Sequence, residues 1–261
     1  MSTDLLTILL VVIGAAAASI LGGLISLWRT PTSLFMSAAL GFASGILLGT
    51  ISFEMLPQAI EITYLPAAVG GFAVGFTAVY GYDEYVHRGK LAGPKSEQRP
   101  QVERFYHEHP PHGGSVTVLA GGTSAEEVIE GLSIGVGAAI KPGLGLLIGI
   151  AIAIDNLSES LSIGIIIRSH PEERSKQVHR VLGWTGLIGA VDISSALIGW
   201  FFFRGLPQST LGFLFAVGAG AMFYLTITDL IPQAEERQYQ QSSAIFVAIG
   251  YMAIFVLTIF I

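Results

Sequence analysis

The sequence contains no cysteine, so neither a disulfide nor a thiolate metal site can be built from it. Charge is scarce as well. Only 12% of residues are Asp, Glu, Lys or Arg, against about 25% in an ordinary soluble domain. A surface so poor in charge is not made for water. The basic residues form no patch interleaved with aromatics, which argues against a nucleic-acid partner. The net charge of −6 says little, because in a membrane the position of a charge matters more than the sum. Apolar residues take the place of charge: 52% of the 261 residues are hydrophobic, and mean hydropathy is +0.65. Glycine is plentiful at 32 residues, and small residues let membrane helices approach closely.

Crossing a hydrocarbon core takes about 20 residues of apolar helix. Eight stretches satisfy that length, at 4–28, 33–59, 65–86, 115–140, 142–168, 178–203, 207–233 and 241–261. The expected fold class is therefore an all-α membrane protein of eight transmembrane helices. The first stretch lacks a basic leader and is too long for a signal-peptide core, so it reads as a retained helix. Basic residues set the orientation. Of the thirteen lysines and arginines, eleven fall on one side of such a bundle, and only Lys141 and Arg204 on the other. The basic side is expected to be cytoplasmic, with both termini outside and the cell (inner or plasma) membrane as the location.

The expected organisation is spans 1–3 over residues 1–86, a polar loop over 87–114, spans 4 and 5 over 115–168, and spans 6–8 over 169–261. The loop is rich in Gly, Pro and charge, and it holds His87, His107, His109 and His112. It reads either as a solvated linker or as a loose metal collector using His107, His109 and His112.

Two internal echoes stand out. Residues 43–61 align without gaps to 218–236, pairing Gly45 with Gly220, Glu54 with Asp229, and Pro57-Gln58-Ala59 with Pro232-Gln233-Ala234. Spans 2 and 7 run in opposite directions, so the match marks an inverted repeat of spans 1–3 and 6–8 around central spans 4 and 5. Within that pair, 126–135 (EEVIEGLSIG) aligns with 155–164 (DNLSESLSIG).

The second echo carries the chemistry. Residues i and i+4 stack on one helix face, which pairs Glu126 with Glu130 and Asp155 with Glu159. Glu127 and Asn156 sit about 100° around, widening the polar face. Asp192 adds a further acid in span 6. An ionisable side chain at bilayer centre costs at least ~2.5–3.5 kcal/mol, and spans 4, 5 and 6 hold no base at that depth. The six acids therefore need cations, protons or both. A single such acid, Asp192 above all, has the alternative reading of a protonated packing residue or the partner of a buried base. All the ligands offered are oxygens, which suit Mg²⁺, Ca²⁺, Mn²⁺ and Fe²⁺ and also admit Zn²⁺.

These residues resemble the ZIP (Zrt/Irt-like) family of divalent metal transporters over nearly the whole chain. The family's span 4 motif, His-Asn-x-x-Glu-Gly, maps onto Glu126-Glu127-x-x-Glu130-Gly131. Its span 5 motif maps onto Asp155-Asn156-x-x-Glu159, and its span 6 Gly-x-x-Glu onto Gly189-Ala190-Val191-Asp192. Its span 7 His-Glu-x-x-Pro looks like Thr228-Asp229-x-x-Pro232. The resemblance implies a two-metal transport site on spans 4 and 5 with help from span 6. It also implies elevator-like movement of one helix bundle against the rest. Glu54 would sit near the external mouth and Asp229 near the cytoplasmic exit, each three residues before a proline whose helix break frees a carbonyl. The alternative for both is an interfacial acid that merely meets water. The site lacks imidazole, since Glu126 and Thr228 stand where the family has His. That weakens a Zn²⁺ preference and puts Mn²⁺ or Fe²⁺ on equal terms.

The metals are expected as substrate, with no organic cofactor and no enzymatic activity. Lipid surrounds the protein, and a homodimer stays open. Two other functions compete: a membrane di-metal carboxylate enzyme, and a metal-gated channel or sensor.

Overall fold

The computed structural model describes residues 3–29, 31–87, 114–169, 173–235 and 240–259. Ten α-helices make up these residues: α1 (Thr3–Trp28), α2 (Ser33–Thr50), α3 (Leu56–Ile62), α4 (Leu65–His87), α5 (Gly114–Ile140), α6 (Pro142–Ser169), α7 (Arg174–Phe203), α8 (Gln208–Leu225), α9 (Ile231–Glu235) and α10 (Gln240–Leu257). The described residues contain no strand.

Local chemistry sets the boundaries. Thr32 opens α2 by accepting the Phe35 amide on its hydroxyl at 3.2 Å, which satisfies one of the orphan donors of the first turn. A single residue, Lys141, separates α5 from α6. Pro142 begins α6, where a missing N–H costs nothing and φ is already helical.

Among the described residues, six segments are long and apolar enough to cross a membrane: Leu6–Trp28, Ser33–Ile62, Leu65–Tyr82, Pro142–Arg168, Arg174–Phe203 and Gln208–Glu235. The apolar helix Gln241–Leu257 is shorter. α5 has the length, at 27 residues, but carries Glu126, Glu127 and Glu130. The outside of the molecule is apolar, with Leu10 63%, Phe202 73% and Trp28 86% exposed. In water each would forfeit much of its transfer free energy, whereas lipid tails are as apolar as the side chains themselves. The protein is an integral multi-pass membrane protein.

The helices pack in two groups. α1, α5, α6 and α7 lie against one another; in the second group α10 packs on α2 and α4 on α8, and these two pairs are joined where α3 lies on α8 and α9 on α2. The groups meet where α2 lies on α6 and α5 on α8. Within the second group, close approaches recur at a constant spacing of 175 residues. A Cβ on Gly45 would fall 2.0 Å from the Val247 carbonyl oxygen, and one on Gly220 would fall 2.0 Å from that of Phe72. A Cβ on Gly250 would lie 2.2 Å from the Phe42 oxygen, and one on Gly75 would lie 1.9 Å from that of Val217. Backbones this close leave no room for a side chain.

The same spacing separates two π-helical turns, Ile51–Met55 and Thr226–Leu230. Each closes with an i→i−5 bond, from the Leu56 amide to the Ile51 carbonyl and from the Ile231 amide to the Thr226 carbonyl. Pro57 and Pro232 follow directly. A proline ring clashes with the carbonyl four residues back, and the extra residue of a π turn moves that carbonyl aside. This corrects the expected helix break: α2 runs on into α3, and α8 into α9, through a local bulge.

Candidate metal centre

The acids of α5, α6 and α7 face inward. Glu127, Glu130, Asp155, Asn156, Glu159 and Asp192 are all buried, while Glu126 is half-buried. Carboxylate oxygens of Glu127, Glu130 and Asp192 all lie within 4.8 Å of one another. Helical spacing explains the first two, because i and i+3 share a face. Asp192 reaches them because α5 and α7 touch. A Cβ on Gly131 would fall 2.0 Å from Ser195 Oγ, and that hydroxyl lies 2.7 Å from the Val191 carbonyl oxygen and 3.3 Å from that of Glu127. Ser195 therefore sits in the close α5–α7 approach that brings Glu127 beside Asp192.

α6 supplies the opposite wall. The Asp155 carboxyl faces Glu130, with Glu126 also within electrostatic reach. Glu159 lies within reach of both Glu127 and Glu130. The Asn156 amide Nδ2 donates to Asp192 Oδ2 at 2.5 Å. The structure thus brings all seven proposed ligands into one neighbourhood, with Glu127, Glu130 and Asp192 as its tightest group.

Five buried oxygens here have no hydrogen-bond donor: Glu127 Oε2, Glu130 Oε2, Asp155 Oδ1, Asn156 Oδ1 and Asp192 Oδ1. Leaving a buried acceptor unsatisfied costs about 1–3 kcal/mol, and more for a charged one. So many unsatisfied acceptors, with no lysine or arginine among them, make a group that could hold a cation. The donor set is carboxylate and amide oxygen, suited to hard or borderline divalent ions.

The outlying candidates divide. Asp229 is buried in its π turn, within electrostatic reach of Asp155, and accepts a hydrogen bond from the Gln233 side chain. An acid that merely meets water does not describe Asp229, which is 2% exposed. Glu54 is half-buried, and Lys141 lies within its electrostatic reach. His107, His109 and His112 lie outside the described residues.

Sequence inspection alone misses Ser195 and Gln233. The i, i+4 spacing of Asp229 and Gln233 is a usable signal, although the matching Gln58 turns instead to Glu61, at 3.4 Å. For Ser195, a serine three residues after a buried acid carries no such mark.

No family model matches the chain. Curated relatives do. The chain is 26% identical over 230 residues to the zinc transporter ZupT of Salmonella paratyphi A, covering 85% of this chain and 84% of that protein. It is 27% identical over 230 residues to ZupT of Salmonella arizonae, with the same coverage. ZupT of Escherichia fergusonii is 25% identical over 229 residues, again covering 85% and 84%. The resemblance to the ZIP family is borne out. All three relatives carry the name of a transporter rather than of an enzyme. The alignments span nearly the whole length, so they take in the helices that carry the acids.

Proposed function

We propose that the protein carries divalent cations, Zn²⁺ among them, across the membrane through the acid cluster of α5, α6 and α7. The observation that carries this is the set of five donorless oxygens converging between three helices. A channel or sensor would need the same ligands, but the relatives named as zinc transporters favour transport.

The site would hold two ions. Glu130 and Glu159 close their motifs and bridge the two. Glu126 and Asp155 would complete one side, and Glu127, Asn156 and Asp192 the other. Two divalent ions bring four positive charges against six acids, so some acids hold protons even in the full site. An empty site takes up more, because crowded carboxylates disfavour one another's ionisation. Mn²⁺ and Fe²⁺ would be carried alongside Zn²⁺, since no imidazole is present to favour the borderline metal.

Movement would be of elevator type, with α1, α5, α6 and α7 sliding as a body against α2, α4, α8 and α10. The two packing groups support that division. The 175-residue spacing of the glycine approaches and of the π turns supports an inverted repeat, the usual basis of alternating access. We read α5 and α10 as the remaining two of eight spans, with 87–114 cytoplasmic, both ends of the chain outside, and the inner or plasma membrane as the site. Glu54 would lie at the external mouth, Asp229 on the path inward, and His107, His109 and His112 would gather metal in the loop. A homodimer is compatible with this arrangement.

The deciding experiment is uptake by proteoliposomes of purified protein, run against a panel of Zn²⁺, Mn²⁺, Fe²⁺, Ca²⁺ and Mg²⁺. Saturable uptake of at least one transition ion is expected. Vesicles no more permeable than protein-free ones would refute the proposal.

A further inference from the structure

We infer that Ser162 supplies an additional oxygen ligand for the translocated divalent cation, one helical turn beyond the acid cluster toward the Arg168 end of α6. The inference rests on the transport reading above.

Buried hydroxyls on these helices as a rule donate to the carbonyl four residues back. Ser44, Thr50, Ser133, Ser158, Thr185 and Thr226 all do so, at 2.7–3.0 Å. Ser160 and Ser162 are different, for each has a buried Oγ without a partner. An unmade bond of this kind is unfavourable, so each needs a reason.

Ser160 has one in packing. It sits where α6 meets α1, and a Cβ on Gly22 would fall 2.9 Å from Ser160 Cβ. Its match in the 126–135 echo is Gly131, which fills the same role against α7. A small residue is what both positions require.

Ser162 is not among the atoms that a glycine Cβ would meet. It follows Asp155 by seven residues and Glu159 by three, so the three side chains share an arc of roughly 60° on α6. Ser162 is 8% exposed, and its hydroxyl therefore lies buried on the helix face that carries the two acids. Its match in the echo, Ser133, donates to the Ile129 carbonyl at 2.8 Å and abuts Gly218 of α8. A neutral hydroxyl suits an ion leaving a carboxylate cluster. It offers a lone pair to replace a lost ligand, yet holds the ion weakly enough to release it, as conduction through successive sites requires.

Three variants test this in the full-length protein. Ser162→Ala should slow Zn²⁺ uptake by proteoliposomes about tenfold, the loss expected for one bond to a charged partner. Equilibrium Zn²⁺ binding to the purified variant should stay as in wild type, because the acid cluster is intact. Ser160→Ala should transport as wild type does. Ser162→Cys places the sole thiol in a cysteine-free chain, and it should make uptake sensitive to Cd²⁺ at concentrations wild type tolerates. Wild-type uptake by Ser162→Ala would overturn the inference, as would Ser162→Cys with unchanged Cd²⁺ sensitivity. If the alanine variant does not fold, the cysteine variant decides. Wild-type vesicles that take up no divalent ion would sink the transport reading instead. Thiolate-to-metal absorption of Cd²⁺ by purified Ser162→Cys would then still report whether an ion reaches this position, and its absence would overturn the inference.

Discussion

The amide Nδ2 of Asn156 on α6 donates to Asp192 Oδ2 on α7 at 2.5 Å, and this bond leaves Asn156 Oδ1 without a partner. The bond fixes which way the amide points, so the Asn156 carbonyl oxygen is presented as a ligand. Asn156→Leu keeps much of the volume and removes both functions. Zn²⁺ uptake at matched surface expression should fall about ten- to a hundredfold, the worth of a bond to a charged group, without vanishing. Asp192→Ala should behave alike. Loss to background in either would mean that the residue bridges both ions.

Glu126 stands where the resembling family has histidine, and it is the least buried of the six acids. A carboxylate gives up the preference for borderline metals that imidazole supplies. Glu126→His should therefore raise Zn²⁺ uptake relative to Mn²⁺ in a competition assay. An unchanged Zn²⁺/Mn²⁺ ratio in a mutant that still transports would show that this position does not set selectivity.

The close helix approaches make a separate prediction about stability. A methyl on Gly220 would meet the Phe72 backbone, which cannot rotate away. Gly220→Ala should lower the melting temperature in detergent, with a cost of about 1–3 kcal/mol for overpacking. A methyl on Gly14 of α1 would meet nothing within 4 Å. Gly14→Ala should be neutral or stabilising, by up to about 1 kcal/mol from helix propensity. Equal melting temperatures for the two variants would contradict the packing described.

Much of this is legible in the sequence, for identifiable reasons. Apolar length marks helices in lipid without help from tertiary structure, so α1, α2, α4, α6, α7 and α8 lie where the hydropathy puts them. The stacking of Glu126 with Glu130 and of Asp155 with Glu159 follows from helix geometry alone. What sequence cannot supply depends on how the helices are rotated and how close they come. That Glu127, Glu130 and Asp192 are the tightest group follows from the α5–α7 approach at Gly131 and Ser195. The π turns before Pro57 and Pro232 are a choice between two ways of accommodating a proline, and composition does not distinguish them. For Asp229 the sequence leaves open a metal-exit residue or an acid that merely meets water, and only the packing around the bulge shows it buried and bonded to Gln233.

Orientation can be tested on the cysteine-free background. Eleven of the thirteen basic residues fall on one side of the eight-span arrangement, which should be cytoplasmic. Cysteines introduced by His109→Cys and Ser209→Cys should label from opposite faces. Labelling at position 109 by an impermeant reagent in intact cells would reverse the assignment.

The central claim is that cations cross through the shared acids of α5 and α6, and Glu130→Gln tests it most directly. The change preserves shape and removes one charge from the position proposed to bridge both ions. In proteoliposomes holding equal amounts of folded protein, Zn²⁺ uptake by Glu130→Gln should fall to the level of protein-free vesicles, while wild type shows saturable uptake. Uptake by the variant at the wild-type rate would contradict the account.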